Sequence, residues 1–181
     1  MIPALTGILA PHGLATSFES IATVTVGAGG ASSIDFSSIS STFTHLQIRF
    51  VARSDRSGAN EDILFMRYNN DTGANYAYHF LSGQGSAVEV YSGSSTASVW
   101  TSSISGNNNS SSILGAGIID ILDYTNTNKN TTTRILSGYD ANGNGRVVLS
   151  SNLWNNTAAV NRVTLYPGYG TLFTQYSTAA L

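Results

Sequence analysis

The sequence predicts an all-β protein, an antiparallel β-sandwich of jelly-roll form preceded by an extended N-terminal arm. Three observations carry this. Apolar and polar residues alternate with a period of two through several segments, Gly- and Asn-rich turns separate those segments at near-regular spacing, and no segment shows a convincing helical period. About ten or eleven strands are expected. A closed barrel is the alternative.

The densest apolar run, Ile118-Ile119-Asp120-Ile121-Leu122, sits in the stretch 113–139. Apolar on both faces, it reads as a strand in the middle of a core. Asn126-Thr127-Asn128-Lys129-Asn130 then breaks the pattern, and Thr131 to Leu136 returns it. Asn tolerates the positive φ that tight loops need, so 113–139 predicts a central hairpin. Asp120 is the odd residue in that run. A carboxylate there needs a partner, and Arg134 on the returning strand predicts a core or interface ion pair.

The other elements follow in order. Residues 1–16 read as an extended arm, because Pro3, Gly7 and Pro11 break any apolar helix and the basic start of a signal peptide is lacking. Ile2, Leu5, Ile8, Leu9 and Leu14 are too apolar for a free tail, so the arm docks on a neighbour or straps its own sandwich. Residues 17–181 form one β-sandwich domain. Alternation runs from Ser17 to Val26 and through Ser32–Phe36. Between Phe43 and Arg53 it is cleanest: Leu46, Ile48, Phe50 and Ala52 face in, while His45, Gln47, Arg49 and Arg53 face out, with Val51 the exception. Asp62–Tyr68 and Asn75–Leu81 are strands around an Asn/Gly turn, the second with Tyr76, Tyr78 and Phe80 on one face. Ala87–Tyr91 and Ala97–Ile104 are strands split by Ser92–Ser95, and 106–112 is a loop tip. After the hairpin come a strand at Arg146–Ser150, a loop at 152–157 carrying Trp154, a strand at Ala158–Tyr166, and the closing segment Leu172–Leu181.

Composition narrows function. Charged residues are 10% of the chain against ~25% in typical soluble domains. Ser, Thr and Asn number 26, 19 and 16, so the surface is polar but nearly uncharged. That suits packing against copies of itself or a large neutral assembly. Net charge is −2 with a single lysine, Lys129, which argues against nucleic acid as a partner. The absence of cysteine excludes disulfides, thiolate metal sites and Cys nucleophiles. The longest apolar run is far short of the ~20 residues that a helical membrane span needs.

Candidate chemistry is sparse. His12, His45 and His79 lie in separate segments without metal-type spacing. No Gly-x-Ser-x-Gly elbow appears. Asp120 and Asp123 are three apart on one strand, so they point to opposite faces and cannot form a glycosidase pair alone. No catalytic residue is assigned, and no cofactor is expected. Asp140, Asn142 and Asn144 match the opening of a calcium loop, but its twelfth position is Ser151 and strands flank it, so a Gly/Asn turn is the preferred reading. Tyr91, Trp100, Trp154 and Tyr169 are candidates for stacking on sugars; core packing is the alternative.

Several long blocks resemble a known family. SFESIATVTVGAGGASSIDFSSISSTFTHLQIRFVARS, RYNNDTGANYAYHFLSGQG, IIDILDYTNTNKNTTTRILSGYD, LWNNTAAVNRVTLYP and FTQYSTAAL are similar, in that order, to small β-sandwich virion proteins of tailed bacteriophages. The likeness spans about Ser17 to Leu181. It implies a non-enzymatic viral structural protein, made in the host cytoplasm and displayed on the virion surface. It also implies a homo-oligomer, a homotrimer by analogy with viral fibres, with other virion proteins and host surface glycans as partners. A tail-fibre or attachment component docked through the arm is the leading expectation, and a capsid decoration protein the alternative. A free carbohydrate-binding module belongs to another class, and the few carboxylates disfavour a glycan depolymerase.

Overall fold

The computed structural model describes residues 18–181. The expected arm, with Ile2, Leu5, Ile8, Leu9 and Leu14, lies outside the described residues. Twelve strands follow: β1 (Thr23–Thr25), β2 (Ile34–Phe36), β3 (Leu46–Ala52), β4 (Glu61–Tyr68), β5 (Tyr76–Gln84), β6 (Ala87–Thr96), β7 (Val99–Ser105), β8 (Gly115–Leu122), β9 (Thr131–Asp140), β10 (Gly145–Trp154), β11 (Val163–Pro167) and β12 (Thr178–Ala180). They form two antiparallel sheets packed face to face. One has eight strands in the order β1-β12-β3-β8-β9-β10-β5-β6, the other four in the order β2-β11-β4-β7. The all-β sandwich is therefore the architecture.

Four pairings are nested: β1 with β12, β2 with β11, β3 with β8 and β4 with β7. They place β1-β12-β3-β8 in one sheet and all of β2-β11-β4-β7 in the other. The remaining strands, β9, β10, β5 and β6, extend the larger sheet beyond β8.

Alternation dictates the core. In β3 the buried side chains are Leu46, Ile48, Phe50 and Ala52, and in β9 Ile135 and Tyr139 face the second sheet. Leu64, Met66 and Tyr68 of β4 with Val163 and Leu165 of β11 form the opposite wall.

Several boundaries differ from the sequence expectation. Ser92–Ser95 is strand, because β6 pairs with β5 on both sides of a register irregularity between Tyr76 and Tyr78. β10 continues to Trp154, which pairs with Tyr76 and Thr131. Arg53 is buried rather than outward; its guanidinium donates to Asn107 O at 3.3 Å, Asn107 Oδ1 at 3.1 Å and Asn109 O at 2.9 Å, pinning the 106–112 loop. β8 is central in its sheet, but only one face is buried: Ile119 and Ile121 point in, whereas Ile118 is exposed.

One junction ties the sheet extension to the smaller sheet. Trp154 packs on Tyr68 at 5.4 Å and Tyr76 at 6.4 Å between ring centroids. Its Nε1–H donates to Asp71 Oδ2 at 2.7 Å, and the same carboxylate accepts from Gly73 N at 2.8 Å and Asn75 Nδ2 at 2.9 Å. Burial pushes the Asp71 carboxyl up, but these hydrogen bonds outweigh it and hold it below its ordinary value. A carboxyl depressed in the fold stabilises above its unfolded value of ~3.9 and loses that contribution as pH falls through the folded value. Urea unfolding should therefore show stability falling in acid below about pH 4. Asp71→Asn should flatten that acid slope, and Asp71→Ala should cost about 1–3 kcal/mol at neutral pH by stranding the indole N–H.

Candidate functional site

The most distinctive surface is the outer face of the eight-stranded sheet. Strand registers align Ile118 with Leu136, Leu136 with Leu149, Leu149 with Leu81, and Leu81 with Val90. These five side chains form one continuous ridge across β8, β9, β10, β5 and β6. Arg49 of β3 stands beside Ile118 at its end, with the Phe18 ring 5.6 Å from the guanidinium.

Two residues along each strand, ~7 Å away, lies a second row: Val51, Ala116, Gly138, Val147, Gly83 and Val88. Glycine and alanine make it a groove of ≈ 1020 Å³ beside the ridge, continued by a hollow of ≈ 250 Å³ between Leu81, Leu149 and Val147. Gly138 is compelled, since a Cβ there would stand 2.3 Å from the Arg146 carbonyl oxygen. Eight aliphatic side chains on this face are 40% to 74% exposed: Val51, Leu81, Val88 and Val90, then Ile118, Leu136, Val147 and Leu149. Together they leave several hundred Å² of apolar side chain in water, at or above the ~300–600 Å² of the largest patch on a typical monomer.

On the other side of the ridge, Asp120 and Arg134 are register partners, with Arg134 Nη2 3.2 Å from Asp120 Oδ2. Gln47 Nε2 donates to Asp120 Oδ1 at 2.9 Å. The expected pair is present, but it lies on the open face and not in the core: the Arg134 side chain is 67% exposed. Such a pair adds ~0–1 kcal/mol.

The other candidates fall in separate places. Asp140, Asn142 and Asn144 form the β9–β10 hairpin turn: Ala141 N donates to Asn144 O at 2.7 Å, Gly143 N donates to Asp140 Oδ1 at 3.2 Å, and Asn142 and Gly143 have φ of 61° and 94°. Turn geometry accounts for this composition. Among the described residues no group of three or more His, Asp or Glu could hold a metal ion. Trp154 is 1% exposed and belongs to the core, so it is no glycan platform. Trp100 is half-buried at the open edge between β6 and β7, with centroids 4.6 Å from Phe80 and 5.3 Å from Tyr78. Tyr91, exposed, packs on the other side of Phe80 at 5.1 Å. Tyr169 is exposed, with the Arg56 guanidinium 4.4 Å over its ring. Its loop is pinned by Asp62, which accepts from Tyr169 N at 3.0 Å and Gly170 N at 2.9 Å, and by Asp55, which accepts from Thr171 N at 2.7 Å and Leu172 N at 2.9 Å. Burial would raise the Asp55 carboxyl, but its bonds to Thr171 and Leu172 hold it below the ordinary value.

Two features escape a reading of single strands. The aliphatic ridge is one; its signal is the out-of-phase apolar residue in each of its strands, Ile118 in β8 and Leu136 in β9 among them, which only the register lines up. The other is a clamp between the sheets: Arg146 lies 3.2 Å from Glu61 of β4 and 2.7 Å from Glu89 of β6, and donates to Gln84 at 2.7 Å.

No protein-family model, curated protein or solved structure matches the chain.

Core and face should separate in stability measurements. Ile135→Ala, a buried position next to the ridge residue Leu136, should cost about 2–5 kcal/mol. Leu149→Ser on the outer face, in dilute protein, should stay within about 1 kcal/mol of the parent. Parallel urea titrations check both.

Proposed function

We propose that the chain is a non-enzymatic structural protein of a tailed-phage virion surface, and that it works by packing rather than by chemistry. The observation that carries this is the aliphatic ridge and groove on a chain whose surface is otherwise polar and nearly uncharged. An open apolar face of this size is a face to be covered. The family resemblance of the blocks from Ser17 to Leu181 supplies the setting, and the carboxylates at Asp55, Asp62 and Asp71 are taken up in holding loops rather than converging on a cleft.

The fold side of the proposal is a jelly roll. Without β9, β10, β5 and β6, the nested pairs leave eight strands in two four-stranded sheets, the wiring of a long hairpin rolled up on itself. The four additional strands are then an extension grown from one sheet, and they carry most of the ridge.

A fibre-like or attachment component of the tail, docked through residues 1–16, is the reading we favour. The open apolar face serves a capsid decoration protein equally well, lying against the shell. Host glycan contact would fall to Tyr169 on Arg56, with Tyr91 at the sheet edge.

Cryo-EM of particles carrying a labelled copy should place the protein on the tail. Density on the capsid selects decoration, and absence from particles removes the proposal. Deleting residues 1–16 should leave a domain with a native circular-dichroism spectrum that no longer joins particles. If Tyr169 contacts glycan, Tyr169→Ala should abolish binding on a glycan array while Trp100→Ala, packed on Phe80, weakens it only through stability.

A further inference from the structure

The outer face is complementary to itself. We infer that it is a two-fold interface with a second copy of this chain. The symmetry axis would lie in the plane of the face, along the rows, midway between ridge and groove. Rotation about that axis exchanges the rows, so the ridge of each copy seats in the groove of the other.

Three strands, β8, β9 and β5, then offer their large residue to their own small one. Leu136 meets Gly138 of the other copy, Ile118 meets Ala116, and Leu81 meets Gly83. Leu149 meets Val147 at the centre of the rows and Val90 meets Val88 at their end, two pairs in which both side chains are large. Large-against-small pairing of this kind lets facing layers interdigitate to native density. The glycine at 138 is fixed by the backbone of β10, so the groove is a permanent part of the sheet.

Charge fits the same operation. On β9 the outward residues run Arg134, Leu136, Gly138, Asp140, all half-exposed or exposed. The axis that pairs Leu136 with Gly138 also pairs Arg134 of one copy with Asp140 of the other. A cation and an anion on one strand, equidistant from the axis on either side, match twice in the dimer.

The size fits as well. The face spans β3 to β6, five strand spacings or roughly 24 Å. Its exposed aliphatic area is of the order of the ~800 Å² that each partner brings to a standard interface. The inference stands apart from any location on a particle, because it concerns the isolated protein in solution.

The full-length chain in analytical ultracentrifugation should sediment as a dimer at micromolar concentration. Leu136→Glu, which buries a charge in the groove, and Ala116→Leu, which fills it, should each weaken dimerisation by about 100-fold or more. Both positions are outward, so far-ultraviolet circular dichroism should stay native. The register is tested in this cysteine-free chain with a short bis-maleimide. Leu149→Cys protein mixed with Val147→Cys protein should cross-link, and either alone should cross-link far less. A monomeric full-length chain overturns the inference, as does a strict trimer or a dimer indifferent to both face substitutions. A monomer whose face binds a hydrophobic dye only after Ile8→Glu and Leu9→Glu also overturns it, and assigns the face to the chain's own N-terminal segment.

Discussion

The nesting of four antiparallel pairs is the constraint on which the rest of this molecule depends. The first strand pairs with the last, the second with the one before it, and so inward to β4 with β7. Each closure joins segments far apart in sequence, so the loop-closure entropy is met only once much of the chain is in place. Ordered contacts at the seam hold the ends: Ile21 and Ala22 donate to the Leu181 carbonyl at 2.8 Å and 3.1 Å, and Leu181 donates back to Ala22 at 2.9 Å. Because the strands are short at this seam, three residues each in β1 and β12, their stability comes from side chains beneath them, Ala179 and Leu181 among the buried core.

The four extra strands raise a second problem, that of edges. β6 is ten residues long and ends the larger sheet, its outer row of backbone groups without a partner strand among the described residues. Exposed edges of this length invite further strands. Two devices blunt it. Glu89 points inward to Arg146, a charge that an added strand would have to bury, and a register irregularity between Tyr76 and Tyr78 opposes Ser95 in a left-handed conformation at φ 55°. Association is thereby steered away from the edge and toward the face.

How far the fold was legible in the sequence depended on burial. β3 announced itself because one face is core and the other is water, and all four of its inward residues were readable from alternation alone. β6 was not, because it is an edge strand with little burial on either face, and its Ser-Gly-Ser-Ser run has the composition of a turn. Trp154 read as a loop residue because Asn follows it at 155 and 156; its burial depends on Tyr68 and Tyr76, which no local pattern relates to it. Arg53 read as outward from its phase, and only the Asn107 and Asn109 carbonyls show why it turns in. The Asp120–Arg134 pair was legible as a partnership, since hairpin register is local, but core and interface stayed open, since choosing between them requires knowing that nothing among the described residues covers β8. The ridge was the least legible. Each strand contributes one aliphatic residue out of phase, unremarkable singly, and only the registers of five strands make them a line.

That line also explains how an uncharged protein could recognise a partner in one orientation. With few charged side chains, electrostatic potential does only a small part of the discriminating, and apolar contact alone is indifferent to direction. Shape has to supply it. A ridge set two residues from a groove admits only those placements that put large residues over small ones. A slide by one row along the strands would set Leu136 against Leu136 of the other copy and bring Arg134 rather than Leu136 over Gly138. The two charges on β9 enforce the same alignment, since the slipped arrangement no longer brings Arg134 opposite Asp140. Specificity then comes from what the wrong register costs as much as from what the right one gains, and it is written on the strands that extend the sheet beyond the nested eight.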